Sequence, residues 1–235
     1  MERQEYTAKT YPSFGKKYNG EKAIISLTSW RARINTVSKT IYSLIKQCTG
    51  FHIVLVLSEE EFPKMMDELP ENLKIFADNE LIEVLWVYKN YKAFKKVLFT
   101  MDKYRDVPII SADDDCIYTC NYAQELYSIW EQHKDCCVSP FNEKLYKNMQ
   151  HHQGCCTLYS PNCFSGLSLN LPEDILNTNE DDILYTVYLS KTKFNKVILY
   201  KGKQLFTFHD SLEPLEQFWR GKTLKNFEIV EKALS

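Results

Sequence analysis

The chain has 235 residues, of which 44% are hydrophobic and 26% charged, and its net charge is −2. This length and composition are those of a globular domain with a sizeable core. The small net charge excludes the broad basic field of a nucleic-acid-binding protein, so no nucleic-acid partner is expected. No apolar run approaches the roughly 20 residues of a membrane-spanning helix, and residues 1–22 lack the apolar centre of a signal peptide. A cytoplasmic protein is therefore predicted.

Strand-like and helix-like patterns alternate through the first half of the chain. Continuous apolar runs that suit buried parallel strands cover residues 23–27, 52–57, 82–87 and 107–111. Apolar residues at helical spacing cover residues 37–48, 62–69, 94–104 and 122–133. Alternation of this kind predicts an α/β fold with a mostly parallel sheet and helices on both of its faces.

From about Phe141 the pattern is looser. A helix is predicted at residues 177–191, capped by Thr178 or Asn179 and with acids in its first turn. Strands are predicted at residues 164–172, 196–200 and 203–210, and a short helical pattern follows Asp210.

The eight cysteines are expected to be reduced and mostly buried, because the chain lacks a secretory signal. The stretch HHQGCC, from His151 to Cys156, lacks the spaced cysteine pairs of a structural zinc site. It is interpreted as a loop with incidental cysteines.

The stretch PIISADDDCIY places three consecutive aspartates after the fourth predicted strand. In an extended chain, Asp113 and Asp115 point to one face and Asp114 to the other. Two carboxylates that point the same way favour a hard divalent cation, and a diphosphate would complete its coordination with oxygen. A solvated acidic turn is the alternative. The buried strand before the aspartates and the basic residues after the first strand favour the metal site.

Five segments, in this order and spacing, resemble glycosyltransferases of the GT-A fold, in particular small bacterial enzymes that build capsule, O-antigen and other surface polysaccharides. The segments are IISLTSWRARI, NYKAFKKVLFTMDKY, PIISADDDCIY, FSGLSLNLP and NEDDILYTVYL. The resemblance implies a Rossmann-like, mostly parallel central sheet with a smaller acceptor-binding region. It implies a single domain over residues 1–235, in which residues 1–140 bind the nucleotide-sugar and residues 141–235 bind the acceptor.

The resemblance also implies which residues bind the nucleotide. Thr28, Ser29 and Arg33 match hydroxyl groups and an arginine that lie near it in the family, and their chemistry suits a base edge, a ribose or a phosphate. Capping of the following helix is the alternative for Thr28 and Ser29.

Lys96 matches the family lysine that reaches the donor phosphates. Its neighbours Lys92 and Lys95 are expected to face solvent. The family often has Gly-Pro where this chain has Lys92-Ala93, so the local shape of the loop is left open.

The DxD signature divides the aspartates by role. Asp113 is implied to bind the ribose and Asp115 to bind the metal, while Asp114 is grouped with the nucleotide-sugar-binding residues without an assigned contact. His209 matches a late histidine that adds a metal ligand, and an imidazole ligand favours Mn²⁺ over Mg²⁺. An ordinary histidine at a strand end is the alternative.

Acids at the start of the predicted helix at residues 177–191 have two explanations. Interaction with the helix dipole alone accounts for them. In inverting enzymes of this fold, however, an aspartate at such a helix start is the general base that takes the proton of the acceptor hydroxyl. The resemblance implies Asp181 first and Asp182 second as this base, with Glu180 left open. Small residues Ser165 and Gly166 match the acceptor-binding region.

Residues 191–225 contain eight Lys or Arg against three acids. This basic excess predicts peripheral contact with an anionic membrane face or a lipid-diphosphate acceptor. A solvated surface is the alternative.

Taken together, the sequence predicts a metal-dependent glycosyltransferase of the hexosyltransferase type with Mn²⁺ or Mg²⁺ as cofactor. It would move a sugar from a nucleotide-sugar, in the first place a UDP-sugar, to a hydroxyl of a glycan or lipid-linked glycan in surface polysaccharide synthesis. Inversion is favoured and retention stays open, because retaining enzymes share the DxD strand. The alternatives are a sugar-phosphate nucleotidyltransferase, whose usual glycine-rich loop is missing from LTSWRARI, and an inactive nucleotide-sugar-binding relative.

Overall fold

A computed structural model describes residues 11–47, 49–141, 147, 149–150, 154–209 and 221–235. The strands are β1 (Ser13–Gly15), β2 (Ala23–Thr28), β3 (Phe51–Ser58), β4 (Glu83–Val87), β5 (Ile109–Ser111), β6 (Cys116–Tyr118), β7 (Cys137–Ser139), β8 (Leu158–Tyr159), β9 (Val197–Leu199) and β10 (Phe206–Phe208). The helices are α1 (Val37–Ile45), α2 (Glu71–Asp78), α3 (Lys95–Lys103), α4 (Tyr122–Trp130), α5 (Glu173–Leu176), α6 (Asp181–Ser190) and α7 (Thr223–Ala233).

Eight strands of the described residues form one sheet in the order β1-β4-β3-β2-β5-β8-β7-β9. The β2, β3, β4 and β5 strands pair in parallel, as do β7 and β9, whereas β1 and β8 run antiparallel to their neighbours. A separate ribbon pairs β6 with β10. The predicted α/β class with a mostly parallel sheet is confirmed. Because β8 is reversed, it begins at the edge of the sheet where the parallel strands end.

Helices cover both faces of the sheet. Alternate strand residues point to opposite faces, so Ile25 and Leu27 of β2 pack on the side of α1, α2 and α4. Ile24, between them in the pleat, packs on the side of α3, α5, α6 and α7. Burial on both sides explains why these strands are continuous apolar runs rather than alternating ones.

Several predicted elements are found close to their expected bounds. The four strands of the first half are β2, β3, β4 and β5, the later strands are β9 and β10, and the helical stripes are α1, α3 and α4. Residues 62–69 contain only a 3₁₀ turn at Met65–Glu68. Strands β1, β6, β7 and β8, of two or three residues each, were not predicted, because such short segments show no periodicity of their own.

Residues 164–172 do not form the predicted strand. Asn162 has a φ of 60°, and the amides of Ser165 and Leu167 donate to the carbonyls of Asn162 and Phe164. Successive turns thus satisfy these backbone groups within the segment, and the strand prediction is wrong.

The predicted helix at residues 177–191 is α6, but its predicted cap is wrong. Glu180 occupies the N-cap position without a side-chain cap hydrogen bond. Thr178 Oγ1 accepts from the Glu180 amide at 3.3 Å, and Asn179 has a φ of 58°. These two residues turn the chain ahead of the helix, so Asp181 becomes its first residue.

The two halves that the sequence suggested share one sheet. Strands β8 and β9, which follow residue 140, extend the sheet that the earlier strands begin. A donor half and an acceptor half therefore stay a prediction about function. The described cysteines are free thiols, and His151 lies outside the described residues. None of the described helices is both long and apolar enough to cross a membrane.

Candidate active site

Most of the predicted site residues meet at the edge of the sheet where β2, β3, β4 and β5 end. Ser29 follows β2, Asp113 follows β5, and Lys96 lies in the first turn of α3, which follows β4. The start of α6 brings Asp181 to the same place, where it lies 3.2 Å from Lys96. In sheets of this type the loops beyond the carboxyl ends of the strands form the ligand site.

Asp114 holds the basic side of the site together. Its Oδ1 atom lies 2.5 Å from Arg33 Nη1, and its Oδ2 atom accepts from Ser29 Oγ at 2.6 Å. Its backbone carbonyl accepts from Thr40 Oγ1 at 3.0 Å. Ser29 therefore does not cap the following helix, since α1 begins only at Val37. The contact of Asp114 that the sequence left open is with the arginine and the serine.

The turn after β5 is not the extended chain assumed from the sequence. Arg33 Nη1 lies 3.1 Å from Asp115 Oδ2 as well as close to Asp114, so these two neighbours converge on one guanidinium. Asp113 turns instead to Lys96, at 2.6 Å. The prediction that Asp113 and Asp115 share a face is wrong, because the chain forms a turn at residues 114–115. Burial raises the pKa of Asp114, although Arg33 opposes the shift.

His209 lies beside Asp115. Its backbone amide donates to the Asp115 carbonyl at 2.9 Å, which continues the pairing of β10 with β6. The His209 Nε2 atom is 3.3 Å from Thr40 Oγ1. The pairing of β10 with β6 therefore brings His209 next to Asp115 despite their distance in the sequence. Their shared role as metal ligands stays a prediction.

Lys96 joins the aspartate turn to the start of α6. Its buried ammonium lies 2.6 Å from Asp113 Oδ1 and 3.2 Å from Asp181 Oδ2. Burial alone would lower the pKa of Lys96, but Asp113, Asp181 and Asp182 hold it well above its usual range. The Asp113 side chain keeps 33% of its surface exposed, so this end of the set is open to a ligand.

Asp181 is a buried acid whose charge is poorly compensated. Burial raises its pKa from 3.8 to about 7, Lys96 opposes this shift, and the carboxylates of Asp182 and Asp113 add to it. The Lys96 ammonium forms an ion pair with Asp181 at 3.2 Å, the buried Tyr185 hydroxyl interacts with the same carboxyl, and Asp181 Oδ2 has no hydrogen-bond donor among the described residues. A buried carboxylate oxygen without a donor is costly unless a ligand supplies one.

Gly154 is a site residue that the sequence analysis missed. Its amide donates to Asp182 Oδ1 at 3.0 Å. A Cβ atom at this position would lie 2.8 Å from Asp181 Oδ2, 2.8 Å from Asp182 Oδ1 and 2.9 Å from Lys96 Nζ. No side chain larger than hydrogen fits there without moving these groups. The scarcity of glycine, seven in the chain, was the signal available.

A tyrosine ties the loop at Gly154 to the aspartate turn. The buried Tyr118 hydroxyl donates to the Cys155 carbonyl at 2.8 Å and accepts from the Asp113 amide at 2.8 Å. The loop before β8 and the turn after β5 are therefore fixed relative to each other by one side chain.

Glu180 faces away from these acids. Its Oε1 atom accepts from Asn226 Nδ2 of α7 at 3.1 Å. Of the three acids at the helix start, Asp181 lies 3.2 Å from Lys96, and Asp182 is near enough to raise the pKa of Lys96. Glu180 instead connects α6 to the C-terminal helix α7.

The structure does not bring Ser165 and Gly166 to the acids. Ser165 lines a cavity beside the C-terminal half of α3. A Cβ atom on Gly166 would lie 2.8 Å from the hydroxyl of Tyr188, two turns along α6 from Asp181. Their predicted role in acceptor binding stays a prediction.

One further residue at this edge of the sheet, Lys95, differs from expectation. Lys95 does not face solvent: it is 1% exposed, and its ammonium contacts Asn90 Oδ1 at 2.9 Å and Glu61 Oε2 at 3.4 Å. Glu59 follows β3 directly, and its Oε1 atom is buried without a hydrogen-bond partner among the described residues. Thr28, on the neighbouring strand, donates from its hydroxyl to the Val56 carbonyl at 2.6 Å.

Lys92 takes the conformation that a glycine would prefer. Its φ is 51°, in the left-handed region. The Lys92 amide donates to Asn90 Oδ1 at 2.8 Å, and its ammonium donates to the Leu176 carbonyl at 3.0 Å. Lysine here keeps the backbone shape for which the glycine of the resembled family is suited.

No protein family model and no curated protein matches the sequence, but solved structures do. S. aureus TarS 1-349 in complex with UDP-GlcNAc is similar over 90% of this chain and 71% of that one, with a TM-score of 0.58 and 12% identity. Mannosyltransferase PcManGT from Pyrobaculum calidifontis, in complex with GDP-Man and Mn²⁺, is similar over 80% of this chain and 56% of that one, with a TM-score of 0.56 and 10% identity. The chain has the GT-A fold. It spans 36% of another TarS structure, so it is far shorter than some of these neighbours.

A divalent cation suits the chemistry of this GT-A site. Asp115 and His209 offer one carboxylate and one imidazole, a pair that Mn²⁺ accepts. Among the described residues no group of three His, Cys, Asp or Glu could hold a metal, and Asp115 Oδ2 already lies 3.1 Å from Arg33, so a metal held by Asp115 and His209 stays a prediction. The five aspartates outnumber Arg33 and Lys96 by three formal charges, and a diphosphate would add more negative charge. A cation bound at Asp115 and His209 would offset this excess.

Proposed function

We propose that this chain is a metal-dependent glycosyltransferase that moves a sugar from a nucleotide-sugar to a hydroxyl of a glycan. The carrying observation is the Lys96 ammonium, which lies 2.6 Å from Asp113 and 3.2 Å from Asp181. The Lys96 side chain thus connects the turn that would bind the donor with the acid that would activate the acceptor.

Asp181 has the properties of a general base. Its Oδ2 atom is buried without a hydrogen-bond donor, and an acceptor hydroxyl would supply that donor. Its pKa of about 7 lies near neutral pH, where a general base is most effective. In direct displacement with inversion, the hydroxyl proton passes to Asp181 as the hydroxyl oxygen bonds to the anomeric carbon. The bond from that carbon to the diphosphate oxygen breaks, and the nucleoside diphosphate leaves.

The remaining residues would bind the donor. Arg33 is paired with Asp114 at 2.5 Å and Asp115 at 3.1 Å, and its further N–H groups would donate to oxygen atoms of the ribose or the base. Asp113, 33% exposed, would accept from the ribose hydroxyls. A cation held by Asp115 and His209, when bound, would neutralise the charge of the departing diphosphate. Thr28 and Ser29, at the end of β2 beside Asp114, would contact the same nucleotide.

A UDP-sugar is the donor that we propose. Glu59 Oε1 is buried without a donor at the end of β3, and the imide N–H of uracil is a donor of the required kind. TarS, the neighbour that covers most of this chain among those described, is solved with UDP-GlcNAc. The acceptor, from the sequence resemblance, is a glycan or lipid-linked glycan of surface polysaccharide synthesis, reached at the membrane face through peripheral contact.

The test is calorimetric titration with UDP-, GDP-, CMP- and dTDP-sugars, with and without Mn²⁺, followed by an assay of donor hydrolysis and transfer. Binding of a UDP-sugar that strengthens with Mn²⁺ is expected. Asp115→Asn should weaken the Mn²⁺-dependent binding at least tenfold, whereas the exposed control Asp78→Asn should bind as the parent does.

Two outcomes would overturn this proposal. Pyrophosphate release from a nucleoside triphosphate and a sugar 1-phosphate would indicate a nucleotidyltransferase. Nucleotide-sugar binding without any turnover would indicate an inactive binding relative. Tighter binding of GDP-sugars would overturn only the choice of UDP.

A further inference from the structure

A cavity of about 280 Å³ lies between the C-terminal half of α3 and the turns at residues 162–169, and we call it the α3 pocket. Leu98 and Met101 line it from α3, and Arg105, in the turn after the helix, also lines it. Because each helical residue advances by about 100°, Lys96 and Leu98 point roughly 160° apart. The α3 pocket is thus separate from the candidate active site, which Lys96 faces.

The lining of the α3 pocket is apolar on one part and polar on another. Leu98, Met101 and Leu167 provide aliphatic surface, while Asn162 and Ser165 provide an amide and a hydroxyl. The Asn162 amide nitrogen already donates to Asp106 Oδ1 at 3.1 Å, which leaves the carbonyl of its side chain as an acceptor. A ligand that fits must combine hydrocarbon faces with hydroxyl edges.

Charge within the pocket is already compensated. The Arg105 guanidinium lies 2.6 Å from Asp102 Oδ1, and the Tyr11 hydroxyl donates to Asp102 Oδ2 at 3.1 Å. A guanidinium paired in this way does not call for a phosphate or a carboxylate. Its further N–H groups still donate to neutral oxygen atoms. The pocket therefore favours a neutral, hydroxylated ligand over an anion.

We infer that the α3 pocket binds one neutral sugar ring of a glycan, away from the reacting hydroxyl. A pyranose has apolar C–H faces and a rim of hydroxyls, which match the two parts of the lining. The volume is just below the roughly 300–1,000 Å³ of pockets for larger ligands, which suits a single ring. Lys96 and Met101 are about 7–8 Å apart along the α3 axis and lie on different sides of the helix, so the ring would belong to a different part of the glycan from the reacting hydroxyl. This inference rests on the proposed function and adds a second glycan contact to it.

The test is NMR of the full chain with labelled Met and Leu methyl groups, titrated with methyl glycosides of glucose, galactose and N-acetylglucosamine. Saturable shifts of the Met101 and Leu167 signals with at least one glycoside are expected. Asn162→Gly keeps a backbone angle that glycine accepts but removes the amide, and should weaken binding at least tenfold. Leu167→Trp should fill the pocket and abolish the shifts, whereas the control Leu224→Trp, at a 68% exposed position of α7, should not.

Three results would overturn the inference. They are the absence of any saturable shift, unchanged affinity in both pocket variants, and stronger shifts of the same signals with inorganic phosphate than with any glycoside. Donor hydrolysis by the wild-type chain is measured separately. Its absence alongside saturable methyl shifts would count against the proposed function and not against the pocket.

Discussion

Two buried carboxylates at opposite edges of the same sheet behave in opposite ways. Glu83, at the start of β4, receives Lys103 Nζ at 2.5 Å and the Tyr104 hydroxyl, and His52 Nε2 lies 2.7 Å from it. Burial alone would raise the pKa of Glu83, but these three partners outweigh burial and lower it to about 2. Asp181, at the other edge, has the Lys96 cation, the Tyr185 hydroxyl and two neighbouring carboxylates around it, and burial raises its pKa to about 7.

Burial is common to both acids, so the number of aligned donors decides the direction. The group at Glu83 is a satisfied network that contributes to stability. The group at Asp181 is incomplete, and a group left incomplete inside a folded protein is a candidate for ligand binding or catalysis.

Asp181→Asn should lower the rate of sugar transfer by about 10²–10⁴-fold, because it removes the carboxylate that we propose as the general base. Donor binding should persist, and calorimetry with a UDP-sugar and Mn²⁺ checks this. Glu180→Gln is the matched control, since Glu180 contacts Asn226 instead of Lys96. Equal losses of the transfer rate in the two variants would contradict the proposed role of Asp181 as the general base.

The pH dependence of Asp181 has a defined sign. The base must be unprotonated, so kcat/KM should rise as pH increases through about 7. Stability should move the other way, because the folded state holds this proton between pH 3.8 and about 7 while the unfolded state has lost it. Thermal melts of the parent and Asp181→Asn from pH 4 to 8 should show the variant gaining relative stability as pH rises.

Glu83→Gln should lower the free energy of unfolding by about 3 kcal/mol at pH 7, since it removes a buried charge from Lys103. The contribution of Glu83 is present above its ordinary pKa of 4.5 and is lost as pH falls toward 2. Urea unfolding at pH 7 and pH 3 measures the difference. Turnover per folded molecule should not change, and a loss of turnover as large as that of Asp181→Asn would contradict the division between the two edges.

Gly154→Ala should reduce turnover at least tenfold and cost about 1–3 kcal/mol of stability, because the added methyl group must displace Lys96, Asp181 or Asp182. Steady-state kinetics and thermal melts report the two effects. Full activity with an unchanged melting temperature would mean that the loop before β8 can shift to accommodate the methyl group without moving Lys96, Asp181 or Asp182.

The smallest expected effect concerns Lys92, whose φ is 51°. Both Lys92→Gly and Lys92→Ala lose the contact with the Leu176 carbonyl, so their difference isolates the backbone strain. The glycine variant should be more stable than the alanine variant by about 1 kcal/mol. Chemical denaturation resolves this, and a more stable alanine variant would contradict the strained geometry.

Much of the site could be predicted because parallel strands end at one edge of a sheet. That rule alone brings Ser29 and Asp113 together across β2 and β5, with Lys96 at the start of the following helix. The continuous apolar runs that define those strands are long enough to be recognised in the sequence. Because the predicted parallel strands are present, Ser29, Asp113 and Lys96 lie close together as expected.

The remaining site residues depend on features without a sequence period. Gly154 reaches the acids only because β8, two residues long, is reversed. Lys95 is buried because loops after β3 and β4 supply Glu61 and Asn90 to its ammonium, and loop contacts of this kind have no spacing rule. Ser165 lies elsewhere because turns replace the strand expected at residues 164–172.

The reversed strand β8 also bears on how such a protein can change its specificity. Because β7 ends and β8 begins at the same edge, the connection between them, residues 140–157, starts and finishes beside the site. Its length and composition can therefore vary without shifting any strand of the sheet. Exchanging this one connection between relatives of the fold would change the surroundings of the candidate site on an unchanged sheet.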